Sequence, residues 1–170
     1  GMILVYTPGA DSINARHTDV AFNYIKNADA ILFVTYYNHA FSHADREFLL
    51  QLGRVKDMFA LNKMFFIVNA ADLASDEAEL GQVVEHVRHN LETFGIRQPR
   101  IFPVSSMRAI QALESGDESA YAASGLPAFE AEFYQFVHHE LAEMSLRGGE
   151  AELGRVCEAL AEWIAAMAKA

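Results

Sequence analysis

A chain of 170 residues with 52% hydrophobic side chains has the material to bury one domain core, which excludes wholesale disorder. Its 23 acidic against 13 basic side chains leave a net charge of −10, which argues against a nucleic-acid surface and against direct docking on anionic lipid. The single cysteine, Cys157, excludes an internal disulfide and suits a reducing cytoplasm, and no apolar run approaches the roughly 20 residues needed to cross a bilayer.

Ile3-Leu4-Val5 is a short apolar run stopped by the turn signal Pro8-Gly9. A polar loop follows, and His17 to Ala28 then reads as a helix with Val20, Ala21, Tyr24 and Ile25 on one face. Ala30 to Tyr36 is β-branched and aromatic without alternation, the pattern of a parallel strand buried on both faces. Ser42 is placed to cap a helix with Asp45 in its first turn, and Phe48, Leu49, Leu52, Val55, Lys56 and Phe59 continue its spacing.

Met64 to Val68 is a second buried strand, ending at Asn69. Ser75 to Phe94 predicts a long amphipathic helix closed by Gly95. Arg100 to Val104 is a third buried strand, with Pro103 marking an end or an irregular position. Met107 to Leu113 predicts a short helix, and Glu114 to Ala123 a small, polar, mobile loop. Pro127 opens a helix carrying Phe129, Phe133, Val137, Leu141 and Met144. Arg147-Gly148-Gly149 breaks it, and Glu150 to Ala168 is a last helix with Leu153, Val156, Leu160, Ile164 and Met167 on one stripe and Trp163 beside it. Strands alternating with helices predict an α/β fold, a three-layer α/β/α sandwich around a parallel sheet.

Open sheets of this kind place ligand-binding loops at the downstream ends of their strands. Three short segments lie there: Tyr6-Thr7-Pro8-Gly9, Asn69-Ala70-Ala71-Asp72 and Val104-Ser105-Ser106. The Asp72 carboxylate can accept from the N1–H and the exocyclic amine of guanine, a donor pair that adenine lacks. Asn69 would tie neighbouring loops together. Taken alone the segment is equally an Asx turn at a strand end. Ser105-Ser106 sits where a base-contacting backbone loop would lie, and by itself reads as a cap for the helix that follows. Gly9 would bring its amide against a terminal phosphate, and by itself closes a Pro-Gly turn.

Other constellations carry less. His86 and His89 share a helix side with no carboxylate or Cys to complete a metal site, and His138-His139 reads as a solvated face. No Gly-x-Ser-x-Gly elbow occurs, and Cys157 on an apolar stripe reads as an inert thiol.

The longer strings are more specific. Tyr6-Thr7-Pro8-Gly9-Ala10-Asp11-Ser12 with Ala15-Arg16-His17-Thr18 resembles the switch region of bacterial dynamin-like GTPases. Asn27 through Val34 resembles their next strand, and Ser42 through Leu49, with Arg46-Glu47-Phe48-Leu49, the helix after it. Ser124-Gly125-Leu126-Pro127-Ala128-Phe129 is similar to the start of the last helix of that GTPase domain. The resemblance covers most of residues 3 to 145. It implies a partial dynamin-type GTPase domain, of Ras-like P-loop fold, over residues 2–146. Residues 149–170 would then form a helix at the start of a helical bundle or neck.

The family couples GTP binding and hydrolysis, with Mg²⁺, to membrane remodelling through self-association. The resemblance makes Gly9 the phosphate-sensing glycine, Asp72 the guanine-reading carboxylate with Asn69 in support, and Ser105-Ser106 the loop beside the base. Two positions depart from the family pattern. Its Asp before Thr-Pro-Gly, which orients the Mg²⁺ shell, is Tyr6, and a phenol is no hard-ion ligand at neutral pH. Its Lys after the Asn is Ala70, which loses the stem that would pack on the base.

A P-loop needs a Gly-rich turn ending in Lys followed by Ser or Thr. Lys26, Lys56, Lys63 and Lys169 precede Asn, Asp, Met and Ala, and the threonine of the first switch loop is missing too. The expectation is the downstream portion of a GTPase domain, inactive by itself. The alternative is a non-catalytic, degenerate GTPase-like module for protein–protein or self-association. Either way the strands Ile3–Val5 and Ala30–Tyr36 would face an open edge. The two strands would then either pair directly in parallel or be closed by a second chain of a homo-oligomer, and the C-terminal helix would either pack on its own domain or associate between chains. Membrane contact would come through other parts of a longer protein.

Overall fold

The computed structural model describes residues 30–53, 63–144 and Glu162. The readings made above for Ile3–Val5, Tyr6–Gly9, His17–Ala28 and the break at Arg147–Gly149 therefore lie outside the described residues, as does the predicted division after residue 146. The chain forms two compact units, Met2–Pro103 and, together with Gly1, Val104–Ala170.

Among the described residues three strands lie side by side in the order β1 (Ile31–Tyr36), β2 (Met64–Asn69) and β3 (Ile101–Val104). β1 and β2 are parallel, in a register that runs from Ile31 opposite Met64 to Tyr36 opposite Asn69. β2 is buried from Met64 to Val68, as expected for a central parallel strand covered on both faces. Side chains alternate across the sheet. Phe33, Met64, Phe66 and Val68 face one core together with Leu49, Val87, Leu91 and Ile96. The Phe33 and Phe66 rings meet there at 5.8 Å. On the opposite face Phe65 stacks on Phe102 at 6.5 Å, and the Arg100 guanidinium sits 4.0 Å from the Phe65 centroid. This is the parallel α/β arrangement that the strand–helix alternation predicts.

Helix α1 (His43–Gly53) begins where Ser42 predicted it. Ser42 Oγ accepts from Asp45 N at 3.3 Å, and Asp45 Oδ2 accepts from Ser42 N at 2.9 Å, a reciprocal capping box with Asp in the place of Glu. Helix α2 (Glu77–Thr93) starts two residues later than the Ser75 expected. Asp76 supplies the cap, its Oδ1 accepting from Glu79 N at 2.8 Å, so Ser75 stays outside. At its other end Gly95, at φ +90, returns its N–H to Glu92 O while Ile96 N donates to Leu91 O. That Schellman closure needs the left-handed conformation that glycine adopts at little cost.

The second unit holds α3 (Ser106–Ser115), α4 (Glu118–Ala123) and α5 (Leu126–Met144). The mobile loop expected over Glu114–Ala123 is a correction. Gly116, at φ +71, ends α3, and Asp117 immediately caps a new helix by accepting from Ala120 N at 3.0 Å. A Gly-Asp pair is a stop followed by a start, and the small polar residues around it disguised the restart. The unit is tied by Tyr121 Oη donating to Glu130 Oε1 at 2.6 Å and by the Phe129–Phe133 stack at 5.5 Å. Burial, then the bond to Glu130, raises the Tyr121 phenol pKa. Asp117→Ala removes the cap and is expected to cost about 1 kcal/mol. Gly116→Ala meets no atom within 4 Å yet must hold a positive φ, for about 1 kcal/mol as well. Urea denaturation followed by circular dichroism measures both.

Candidate functional site

β2 delivers Asn69 to the carboxyl end of the sheet, half-buried and opposite Tyr36, which stands 47% exposed. The chain reverses at Ala70, at φ 61 and ψ 37. A non-glycine residue rarely holds that left-handed conformation. It turns the backbone into one 3₁₀ turn, Ala71–Leu73, closed by Leu73 N to Ala70 O at 3.0 Å and Ala74 N to Ala71 O at 3.2 Å. Asp72 rides half-buried on this turn. Asn69 and Asp72 are thus brought together on a short, tightly wound segment at the strand end.

A second 3₁₀ turn, Tyr37–His39, follows β1 and packs against the first. Buried Tyr37 donates from its hydroxyl to Glu79 Oε1 at 2.6 Å. Glu79 Oε2 accepts from Ser75 N at 3.0 Å. Sequence reasoning missed both residues. The one local signal was Asp76 three positions before Glu79, the spacing of a capping pair.

The shared hydrogen bond pushes the Tyr37 phenol up to about 12 and, with the Ser75 N–H, holds the Glu79 carboxyl below its usual range. The unfolded phenol titrates near 10. The Tyr37 contribution is therefore fully present below that pH and is lost as pH rises toward 12. The Glu79 contribution is present above the ordinary carboxylate range and is lost as pH falls through its lowered value. Tyr37→Phe is expected to lose less stability than the parent chain between pH 10 and 12, measured by thermal denaturation at each pH.

Ser105 and Ser106 lie in the second unit, both buried. Ser105 Oγ accepts from Arg108 N at 3.2 Å and its N–H donates to Ser124 O at 2.8 Å. Its side chain is thus the cap of α3. Gly9 lies outside the described residues. Among the described residues no group of three or more His, Cys, Asp or Glu is placed to hold a metal ion, and no helix is long and apolar enough to cross a membrane.

The sequence model of the dynamin family matches residues 1–71, running through both strands of the β1–β2 pair into the turn before Asp72. Dynamin-like protein A of Bacillus subtilis (strain 168) is 53% identical over 106 residues, which are 62% of this chain and 9% of that protein. Over its first 71 residues the chain is similar to the dynamin family. An uncharacterized protein in the xynA 3' region of Caldicellulosiruptor sp. (strain Rt8B.4) is 29% identical over 166 residues, 95% of this chain and 40% of that protein. The chain therefore spans less than half the length of either relative.

The described residues suit one part of a nucleotide better than the other. The Asn69–Asp72 turn presents a half-buried carboxylate beside an exposed strand end, a fit for a base edge with two donors. The phosphates and Mg²⁺ find no such fit. Ala70 brings no cation to the turn, and none of the four lysines precedes Ser or Thr. No phosphoryl-transfer step follows from these residues.

Proposed function

We propose that this chain is the base-reading side of a dynamin-type GTPase, a protein that binds and hydrolyses GTP to remodel membranes. The observation that carries the reading is the Asn69–Asp72 turn at the carboxyl end of a parallel strand in a chain similar to the dynamin family. Asp72 takes the guanine N1–H and amine, and Asn69 ties the surrounding backbone. Gly9 senses the terminal phosphate. GTP and Mg²⁺ belong to the full-length protein. Phosphoryl transfer draws its electrostatic stabilisation from a phosphate cradle and metal, and the 170 residues supply neither.

The chain by itself is accordingly inactive. Incubated with GTP and Mg²⁺, it is expected to release phosphate no faster than buffer; steady multiple-turnover release overturns that statement. Tyr6 and Ala70 together favour a second reading, a non-catalytic GTPase-like module for self-association or protein contacts. Specific recognition of guanine over adenine by the turn decides for the first reading; its absence, with concentration-dependent assembly in light scattering, decides for the second. Self-association is part of both. The setting is cytoplasmic, with peripheral membrane contact made through other parts of the longer protein.

A further inference from the structure

We propose that Tyr37 and Glu79 are positioning residues that hold the Asp72 turn in the conformation in which it reads a base; the role rests on the guanine-reading assignment of Asp72. The turn is weakly fixed by its own sequence. Ala70-Ala71-Asp72-Leu73-Ala74 contains neither Gly nor Pro, holds one residue at positive φ, and is closed by two short-range backbone bonds. Segments with so few internal ties open locally at low cost.

Glu79 supplies the missing restraint from both oxygens. Oε1 accepts from the Tyr37 hydroxyl, 42 positions away in sequence, and Oε2 accepts from Ser75 N, two residues after the turn. The Glu79 backbone is fixed in turn by Asp76 Oδ1, at the start of α2. Tyr37 is 7% exposed and sits on the 3₁₀ turn that packs against Ala71–Leu73.

The segment behind Tyr37 is anchored as well. Thr35 Oγ1 donates to Asp45 Oδ2 at 2.9 Å and accepts from Phe41 N at 3.0 Å, so the whole β1–α1 connection is pinned to the cap of α1. The Asp72 turn is therefore clasped between the end of β1 and the start of α2. A clasp of this kind pre-orders the carboxylate before the base arrives, which improves affinity by lowering the ordering cost. It adds no contact to the ligand.

The test is amide NMR on the full 170-residue chain, combining hydrogen exchange with titrations of guanosine and adenosine monophosphates. In the parent chain the guanosine nucleotide is expected to shift the Ala71–Leu73 amides while the adenosine nucleotide does not. Tyr37→Phe keeps the ring in the core and removes the hydroxyl. It is expected to speed exchange at residues 71–75 with β1 and β2 amides unchanged, and to weaken the guanosine nucleotide by about two- to tenfold, the worth of one hydrogen bond. Glu79→Gln, which keeps one acceptor oxygen, is expected to fall between the two. Equal nucleotide affinity and equal exchange in parent and Tyr37→Phe overturn the positioning role alone. A parent chain whose turn amides ignore the guanosine nucleotide overturns the base reading, and the positioning role with it.

Discussion

Phe66→Ala is expected to remove about 4 kcal/mol of stability, the middle of the range for deleting a buried aromatic side chain. Phe66 is 2% exposed at the middle of β2, its ring packed on Phe33 within the cluster that also contains Leu49, Val87 and Leu91. Its loss opens a cavity where α1, α2 and the sheet converge, and none of the three can close it without giving up strand register or helix packing. Domains hold only about 5–15 kcal/mol in all, so the variant should sit near its unfolding threshold. Phe66→Leu keeps most of the volume and should lose less than half as much. Urea denaturation followed by circular dichroism gives both values; a loss below about 1 kcal/mol for the alanine variant would place Phe66 outside the core.

Asp45→Ala is expected to cost about 2 kcal/mol, large for a residue that is only half-buried. Its Oδ2 accepts from both the Thr35 hydroxyl and Ser42 N, so one truncation removes the reciprocal half of the capping box of α1 and strips the acceptor from Thr35, which is 4% exposed. The Thr35 oxygen also receives Phe41 N, and Phe41 stands at φ 59. Strain at Phe41 is thus tolerated because this network over-determines it. Asp45→Asn keeps a carbonyl oxygen and should recover about half the loss. A Thr35→Val, Asp45→Ala double-mutant cycle in thermal denaturation should return a coupling of about 1 kcal/mol; additive losses would show that the two side chains act independently.

Much of this architecture could be read from local sequence, because the physics behind it is local. Ile31–Tyr36 and Met64–Asn69 announce themselves as unbroken apolar runs, and a strand buried on both faces leaves no other pattern. The Ser42–Asp45 cap is likewise a three-residue interaction. The misreadings come from choices between neighbouring caps. Ser75 is an acceptable cap in isolation, but Glu79 claims its N–H and leaves Asp76 to start α2. Gly116-Asp117 ends one helix and begins another within two residues, so the polar composition around it passes for a loop.

The site divides along the same line. The placement of Asn69 and Asp72 just after a strand was legible from the apolar run before them, and the cap made by Ser105 from its place before a helix. Tyr37 with Glu79 was not, because their pairing depends on the register of β1 on β2 and on the two 3₁₀ turns meeting. The left-handed Ala70 was equally hidden, since alanine carries no turn signal.

The base-side assignment is tested most directly by titrating the chain with guanosine and its mono-, di- and triphosphate, alongside the adenosine series, with Mg²⁺ present. Base recognition without a phosphate cradle gives affinities near or weaker than millimolar, about −4 kcal/mol, that differ little along the guanosine series and vanish in the adenosine series. Affinity that climbs with each added phosphate to the micromolar range for GTP contradicts it.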